Sequence, residues 1–281
     1  MEEKHITEKG IERFREFLEE EEKAENTVEK YMRDVRAFCL WLGKRSATHE
    51  AVTDYKAELI SGGYAAGSVN SMLISLNRFF DFLNRQELKV KTLKLQRQIY
   101  CSEEKELRRE EFERLVQAAR KRGDERLEMI LQTIVATGIR VSELKFITAE
   151  AVKGGEATVS LKGKIRPVIL VGKLKKLLLT YLKRHKISTG PIFITRTGKP
   201  MNRTNIWRAM KNLCREAGVS PGKVFPHNIR HLFARIFYKA KKDIVKLADI
   251  LGHTSIETTR IYIISTGAEH RRYLESLRLI V

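Results

Sequence analysis

Four short stretches of this chain hold side chains whose types suit work on a phosphodiester. ATGIRVSEL, residues 136–144, carries Arg140, with Glu143 three positions on. HNIRHLFA, residues 227–234, sets His227, Arg230 and His231 three and four apart, on one face of a helix. LGHTSIETTRIYI, residues 251–263, holds His253 and, nine residues later, Tyr262. KGKIR, residues 162–166, places Lys162 and Lys164 on either side of Gly163. Exchanging phosphodiesters without a metal needs a nucleophile that keeps the bond energy in a covalent link. It also needs cations on the non-bridging oxygens and a proton donor for the leaving 5′-oxygen. Tyr supplies the first, paired Arg the second, and Lys or His the third.

Each stretch alone has an ordinary explanation. Arg140 and Glu143 share a helix face, so Glu143 can orient the arginine, yet the same pair is a common surface salt bridge. HxxxH at His227 and His231 can chelate zinc, but position 228 is Asn where the metalloprotease pattern needs Glu. A packed histidine pair explains that stretch equally well. A lone tyrosine is usually core or surface, and a lysine on a hairpin tip is usually just solvated. Their joint occurrence gives the set its weight.

The elements that must position these groups follow from hydrophobic period and breakers. Gly138 stops an apolar helix over 125–137, behind a helix over 109–121, and a short helix covers about 140–147. Ala157–Leu161 and Pro167–Val171 read as two strands around the KGKIR hairpin, and PIFIT, 191–195, as a third. The rest of 107–281 reads as helix, including 203–217, 227–240, 243–251, 255–263 and 267–279, with Pro226 at a helix start. Ser255 or Thr254 starts the helix that follows Gly252. The first 90 or so residues read as helices. Ile11, Phe14, Phe17 and Leu18 form one apolar stripe, and Asn26 with Glu29 has the form of a capping box. Gly62-Gly63 ends a third helix, and Ser68 is placed to cap a fourth with Val69, Leu73, Leu76, Phe79 and Phe80 on its buried face. The segment 91–106 lacks Gly, Pro and a helical period, which predicts an extended, held linker. Lys89, Lys91, Lys94 and Arg97, in and just before it, are placed to track phosphates.

Composition sets the partner class. Of 281 residues, 54 are Lys or Arg and 35 Asp or Glu, a net charge of +19. Ten Glu against five Lys or Arg fall within the first 25 residues, so the remaining chain is more basic still. Such a field attracts nucleic-acid backbones. Cys39, Cys101 and Cys214 are few, odd in number and far apart, which argues against a disulfide framework or zinc cluster and for a reduced cytoplasmic setting. The polar N-terminus is no secretory signal, and no apolar run long enough to span a membrane exists.

Taken in order, Arg140, a hairpin Lys, His227-x-x-Arg230, His253 and Tyr262 resemble the tyrosine recombinase (phage integrase) family, and most its Xer-like branch. FLEEEEKAENTVEKYMRDVRAFCLWL and SVNSMLISLNRFFDFL are similar to that family's core-binding domain. The resemblance implies a mainly α fold with a small antiparallel sheet, arranged as a two-domain, C-shaped DNA clamp. It implies a helical SAM-like domain over 1–90, a linker over 91–106 and a catalytic domain over 107–281. It implies that Arg140 and Arg230 clamp the scissile phosphate and His253 adds a hydrogen bond. His227 assists proton transfer, Lys162 protonates the 5′-oxygen, and Tyr262 forms a 3′-phosphotyrosine. No cofactor, metal or ATP is implied. Glu143 and His231 take supporting positions. The family hairpin resembles GKGxKxR; here LKGKIR is one residue shorter, with Leu161 in place of a Gly, so Lys164 is the alternative to Lys162. The implied partners are double-stranded DNA with a specific site, three further copies of the chain on two duplexes and an accessory protein, in the cytoplasm at the nucleoid. The helix over 267–281, with Tyr273, Leu274, Leu277 and Ile280 on one side, is implied to dock into a neighbouring protomer. Dimer resolution for chromosome partition at cell division and mobile-element integration share this chemistry, and a type IB topoisomerase is the nearest alternative enzyme.

Overall fold

The computed structural model describes residues 6–95, 103–161, 164–262 and 267–277. The chain forms two compact units, Met1–Arg97 and Gln98–Val281. It is mostly helical, with one two-stranded antiparallel sheet among the described residues.

The first unit packs four helices: α1 (Glu8–Glu20), α2 (Glu25–Leu42), α3 (His49–Ser61) and α4 (Ala66–Phe82). Their apolar stripes meet in one core that includes Phe14, Leu18, Val35, Phe38, Leu73, Leu76, Phe79 and Phe80. Thr7 and Thr48 cap α1 and α3 by accepting the amides of Gly10 and Ala51. The two caps expected downstream do not form. Helix α2 starts at Glu25, so Asn26 is already inside its first turn; its cap residue is Ala24, without a side-chain bond. Glu29 instead takes the Arg15 guanidinium of α1 at 2.9 Å. Helix α4 likewise begins at Ala66, which puts Ser68 within the helix.

Beyond α4 the chain is held by two asparagines seven residues apart. Asn77 accepts from the Val90 amide at 3.1 Å and donates to its carbonyl at 2.9 Å. Asn70 does the same for Leu93, at 2.7 Å and 2.9 Å. Each amide side chain substitutes for a strand neighbour and satisfies both polar groups of an extended residue. Leu88 and Val90 enter the core beside them. Asn77→Ala should leave two backbone groups short of partners and lower unfolding free energy by about 1–2 kcal/mol, measured from urea midpoints on the full chain. An unchanged midpoint would mean water replaces Asn77 without loss. Of the lysines here, Lys89 is paired with Asp81 at 2.8 Å, while Lys91 and Lys94 are exposed. Arg97 lies outside the described residues.

The second unit is built around α6 (Glu125–Thr137), which packs against α5 (Arg109–Lys121) and later helices. A 3-10 helix, Val141–Phe146, and α7 (Ala149–Gly154) lead to β1 (Glu156–Leu161) and β2 (Lys164–Ile169). The strands pair in register from Glu156–Ile169 to Leu161–Lys164. Thus β2 starts three residues earlier than its apolar run, because Arg166 belongs to it. The rest are α8 (Gly172–Arg184), α9 (Arg203–Ala217), α10 (Pro226–Lys241), α11 (Ile244–Leu251), α12 (Ile256–Arg260) and α13 (Gly267–Ser276). PIFIT is not a strand. Thr148–Pro191 and Ile194–Pro200 are isolated bridges, since this segment finds no ladder to join among the described residues. Helix α12 is five residues long and gives way to a turn before Tyr262. Among the described residues no helix is long and apolar enough to cross a membrane.

Candidate active site

Two chain reversals and one helix in the second unit bring the motif residues together. The first follows α6. Gly138 adopts φ +63°, and a Cβ there would stand 2.5 Å from Phe233, so only glycine fits both backbone and packing. The turn delivers Arg140 to the start of the 3-10 helix. Glu143 grips it at both ends: one carboxylate oxygen takes its amide at 2.9 Å and the other its guanidinium at 2.8 Å. Glu143 is 2% exposed, so this is a buried clasp and not a surface pair. Burial pushes the Glu143 carboxyl up. The Arg140 amide and the charges of Arg166 and Arg140 outweigh it and hold the group below the ordinary carboxylate range.

Helix α10 supplies the second group. Pro226 occupies its first turn, and His227, Arg230 and His231 follow on one face. Arg230 is 1% exposed. It donates to the Gly138 carbonyl, to the Leu251 carbonyl at 2.8 Å, and meets His253 Nε2 at 2.9 Å. Burial, then the nearby Arg140 charge, pushes its guanidinium down to about 10, which leaves it a cation at neutral pH.

The second reversal ends α11. Gly252 takes φ +66°, and His253 follows, its amide bonded to the Ala248 carbonyl at 3.0 Å. His253 Nδ1 lies 2.8 Å from Thr259 Oγ1. Because Arg230 can only donate, Nε2 of His253 accepts and its Nδ1 carries the proton. Tyr262, 4% exposed, sits amid these groups. Its ring centroid is 4.3 Å from His231, 5.3 Å from His253 and 5.4 Å from His227. Its hydroxyl lies 3.5 Å from His227 Nε2.

Alongside runs a cavity of about 570 Å³, lined by Arg140, His227 and Arg230 and by Arg203 and Trp207 of α9. Among the described residues no group of three or more His, Cys, Asp or Glu is arranged to hold a metal. The arrangement can set a tyrosine hydroxyl beside an unprotonated imidazole and offer two guanidiniums to an anion. Lys162 lies outside the described residues, as does the side chain of Lys164. Arg166, Thr259, Arg203 and Trp207 were not anticipated. A signal for Arg166 existed: strand alternation puts it on the same side as buried Val168, and an inward-facing cation requires an acid.

The histidines make the site acid-sensitive. Burial first, and neighbouring cations second, push His253 down to about 4 from the ordinary 6.5. His231 is likewise pushed down to about 4 by burial and His227, and His227 is lowered by burial and Arg230. Between those values the unfolded chain binds protons that the folded chain refuses. Stability is therefore full above about 6.5 and is lost as pH falls from about 6.5 towards about 4. Urea midpoints should drop between about pH 7.5 and about pH 5; a flat profile would contradict neutral, buried histidines.

Two family models cover the chain. The phage integrase family matches residues 105–269, and the phage integrase N-terminal SAM-like domain matches residues 11–87. This chain belongs to the phage integrase family. Among curated relatives of this integrase-family chain is tyrosine recombinase XerA of Pyrococcus furiosus. It is 28% identical, over 100% of this chain and 98% of that protein. Among solved structures, a lambda integrase (75–356) dimer bound to a COC′ core site superposes with a TM-score of 0.74 at 18% identity, covering 93% of this chain and 96% of that one. A lambda integrase tetramer bound to a Holliday junction gives 0.73 at 18%, covering 90% and 76%. These structural likenesses show the fold.

Proposed function

We propose that this integrase is a site-specific recombinase that cuts double-stranded DNA with Tyr262 and rejoins it to a new partner. The observation that carries the reading is the buried Tyr262 hydroxyl, 3.5 Å from His227 Nε2, beside a cavity that Arg140 and Arg230 line. The Tyr262 oxygen attacks the scissile phosphorus, and its proton passes towards His227, which burial keeps unprotonated. Negative charge grows on the non-bridging oxygens. Arg140 and Arg230 offset it, and His253 adds a hydrogen bond. The 5′-oxygen leaves with a proton from Lys162, with Lys164 as the alternative donor. The product is a 3′-phosphotyrosine and a free 5′-OH. Attack by the partner duplex's 5′-OH reverses the chemistry and yields a Holliday junction, with no ATP because the bond energy is kept.

Glu143 holds Arg140, and His231 packs on the nucleophile's ring. Lys91 and Lys94 are exposed at the end of the first unit and suit phosphate contacts. Four protomers act on two duplexes, as the tetrameric lambda integrase structure on a Holliday junction supports. Leu274 of α13 and Leu277 just after its end are 58% and 57% exposed, which supports docking of the C-terminal segment on a neighbour. The likeness to XerA over nearly its full length favours a Xer-like dimer-resolving role at the nucleoid over element integration.

The test mixes purified protein with sheared host genomic DNA in EDTA, denatures with detergent and sequences the protein-linked fragments. Adducts at one locus, absent with Tyr262→Phe, establish nucleophile and site. Adducts everywhere favour a type IB topoisomerase, which strand exchange between two labelled duplexes then separates. Loss of adducts on adding EDTA returns a metal to the mechanism.

A further inference from the structure

Arg166 has no role in that chemistry, yet its side chain meets two of the segments that carry it. It stands on β2 opposite Val159. One guanidinium nitrogen donates to Glu143 at 2.8 Å, on the carboxylate oxygen that also takes the Arg140 amide. The other donates to the Ile250 carbonyl at 2.8 Å, three residues before His253. Its aliphatic stem lies over Gly252, where a Cβ would stand 2.4 Å from Arg166 Cδ. Gly252 is thus required for this passage as well as for its backbone.

We propose that Arg166 is a positioning residue that couples seating of the β1–β2 hairpin to the placement of Arg140 and His253. The inference rests on the site being the DNA-cleaving centre proposed above. Glu143 is buried, and its carboxylate answers to Arg140 from its own segment, Arg166 from β2 and Arg230 from α10. If the hairpin lifts, Arg166 leaves with it. Glu143 then loses a countercharge in a low-dielectric setting, and Ile250 loses its donor. Arg140 and the turn carrying His253 loosen together.

The first measurement needs no activity: amide hydrogen exchange of the full, DNA-free chain. Arg166→Met should speed exchange in β1–β2, in residues 141–146 and in residues 247–253 together. Faster exchange confined to the hairpin overturns the coupling. Arg166→Lys keeps the charge but spans only one acceptor. It should show the same pattern at smaller amplitude, and no change outside the hairpin overturns the proposal even where Arg166→Met fails to fold. The second measurement is covalent trapping on the sheared genomic DNA. Arg166→Met should lower adduct yield about tenfold or more, with binding of the same fragments changed less than about twofold. In a Glu143→Gln background the further fall should shrink to less than about threefold. Equal falls in both backgrounds overturn action through Glu143. Absence of adducts from the unmodified protein counts against the cleavage reading alone, because the exchange pattern still decides for Arg166.

Discussion

Tyr262→Phe should abolish the covalent protein–DNA adduct, a loss of about 10⁴-fold or more, while leaving DNA binding and folding close to unchanged. The substitution deletes one oxygen. The ring stays, and with it the contacts to His231, His253 and His227. The hydroxyl's contact to His227 is 3.5 Å long, at the limit of a hydrogen bond, and the hydroxyl also acts on the Arg230 guanidinium as a side-chain hydrogen-bond partner, so its removal should cost no more than about 1–2 kcal/mol of stability. Affinity for duplex comes mainly from phosphate contacts spread over many cations, none of which is touched. Detergent-resistant adduct, gel-shift affinity and urea midpoint therefore separate cleanly. An adduct that survives in the Phe variant would place the nucleophile elsewhere. A large fall in midpoint would mean that the hydroxyl, not the ring, holds the α12 turn.

The helices of the second unit were legible because breakers coincide with the ends of their apolar faces. Gly138, Gly218 and Gly252 each take a left-handed conformation at a helix C-terminus, and the 125–137 and 203–217 boundaries follow from that. Caps were less legible. Asn26 and Ser68 fit the pattern, but helix starts slide by a residue or two when the core decides the phase, and both fell inside. PIFIT has strand composition, but composition says nothing about whether a partner edge exists. Arg140, His227, Arg230, His253 and Tyr262, spread over more than 120 positions, were legible as residue types and order, and the structure brings all five together. What one sequence could not give is what they do to one another: that His253 and His231 are pushed to about 4, or that Glu143 serves Arg166 as well as Arg140. Those facts depend on burial and on long-range neighbours.

The largest divergence between a chemical and a structural reading concerns Arg230. From its motif alone, Arg230→Ala removes a phosphate clamp and leaves folding intact. The structure adds a second function. Arg230 ties the Gly138 and Leu251 carbonyls, at the C-terminal ends of α6 and α11, from a position 1% exposed. Alanine leaves both carbonyls unpaired around a space the size of a guanidinium, which should cost about 3–5 kcal/mol of stability. Adduct formation should fall about 10³-fold or more in the fraction that remains folded. Arg230→Lys distinguishes the two functions. Lysine restores a donor and some volume, so the urea midpoint should partly recover. It cannot bridge both carbonyls and His253 with one ammonium. Burial and Arg140 push the arginine down only to about 10. A lysine starts lower and is more readily neutralised by the same surroundings, so the clamp loses charge as well as geometry. Adduct yield should therefore stay near that of Arg230→Ala while stability rises. Recovery of both together would mean that a single positive charge suffices at this position. An Ala variant as stable as the natural chain would mean that the two helix ends hold without their arginine.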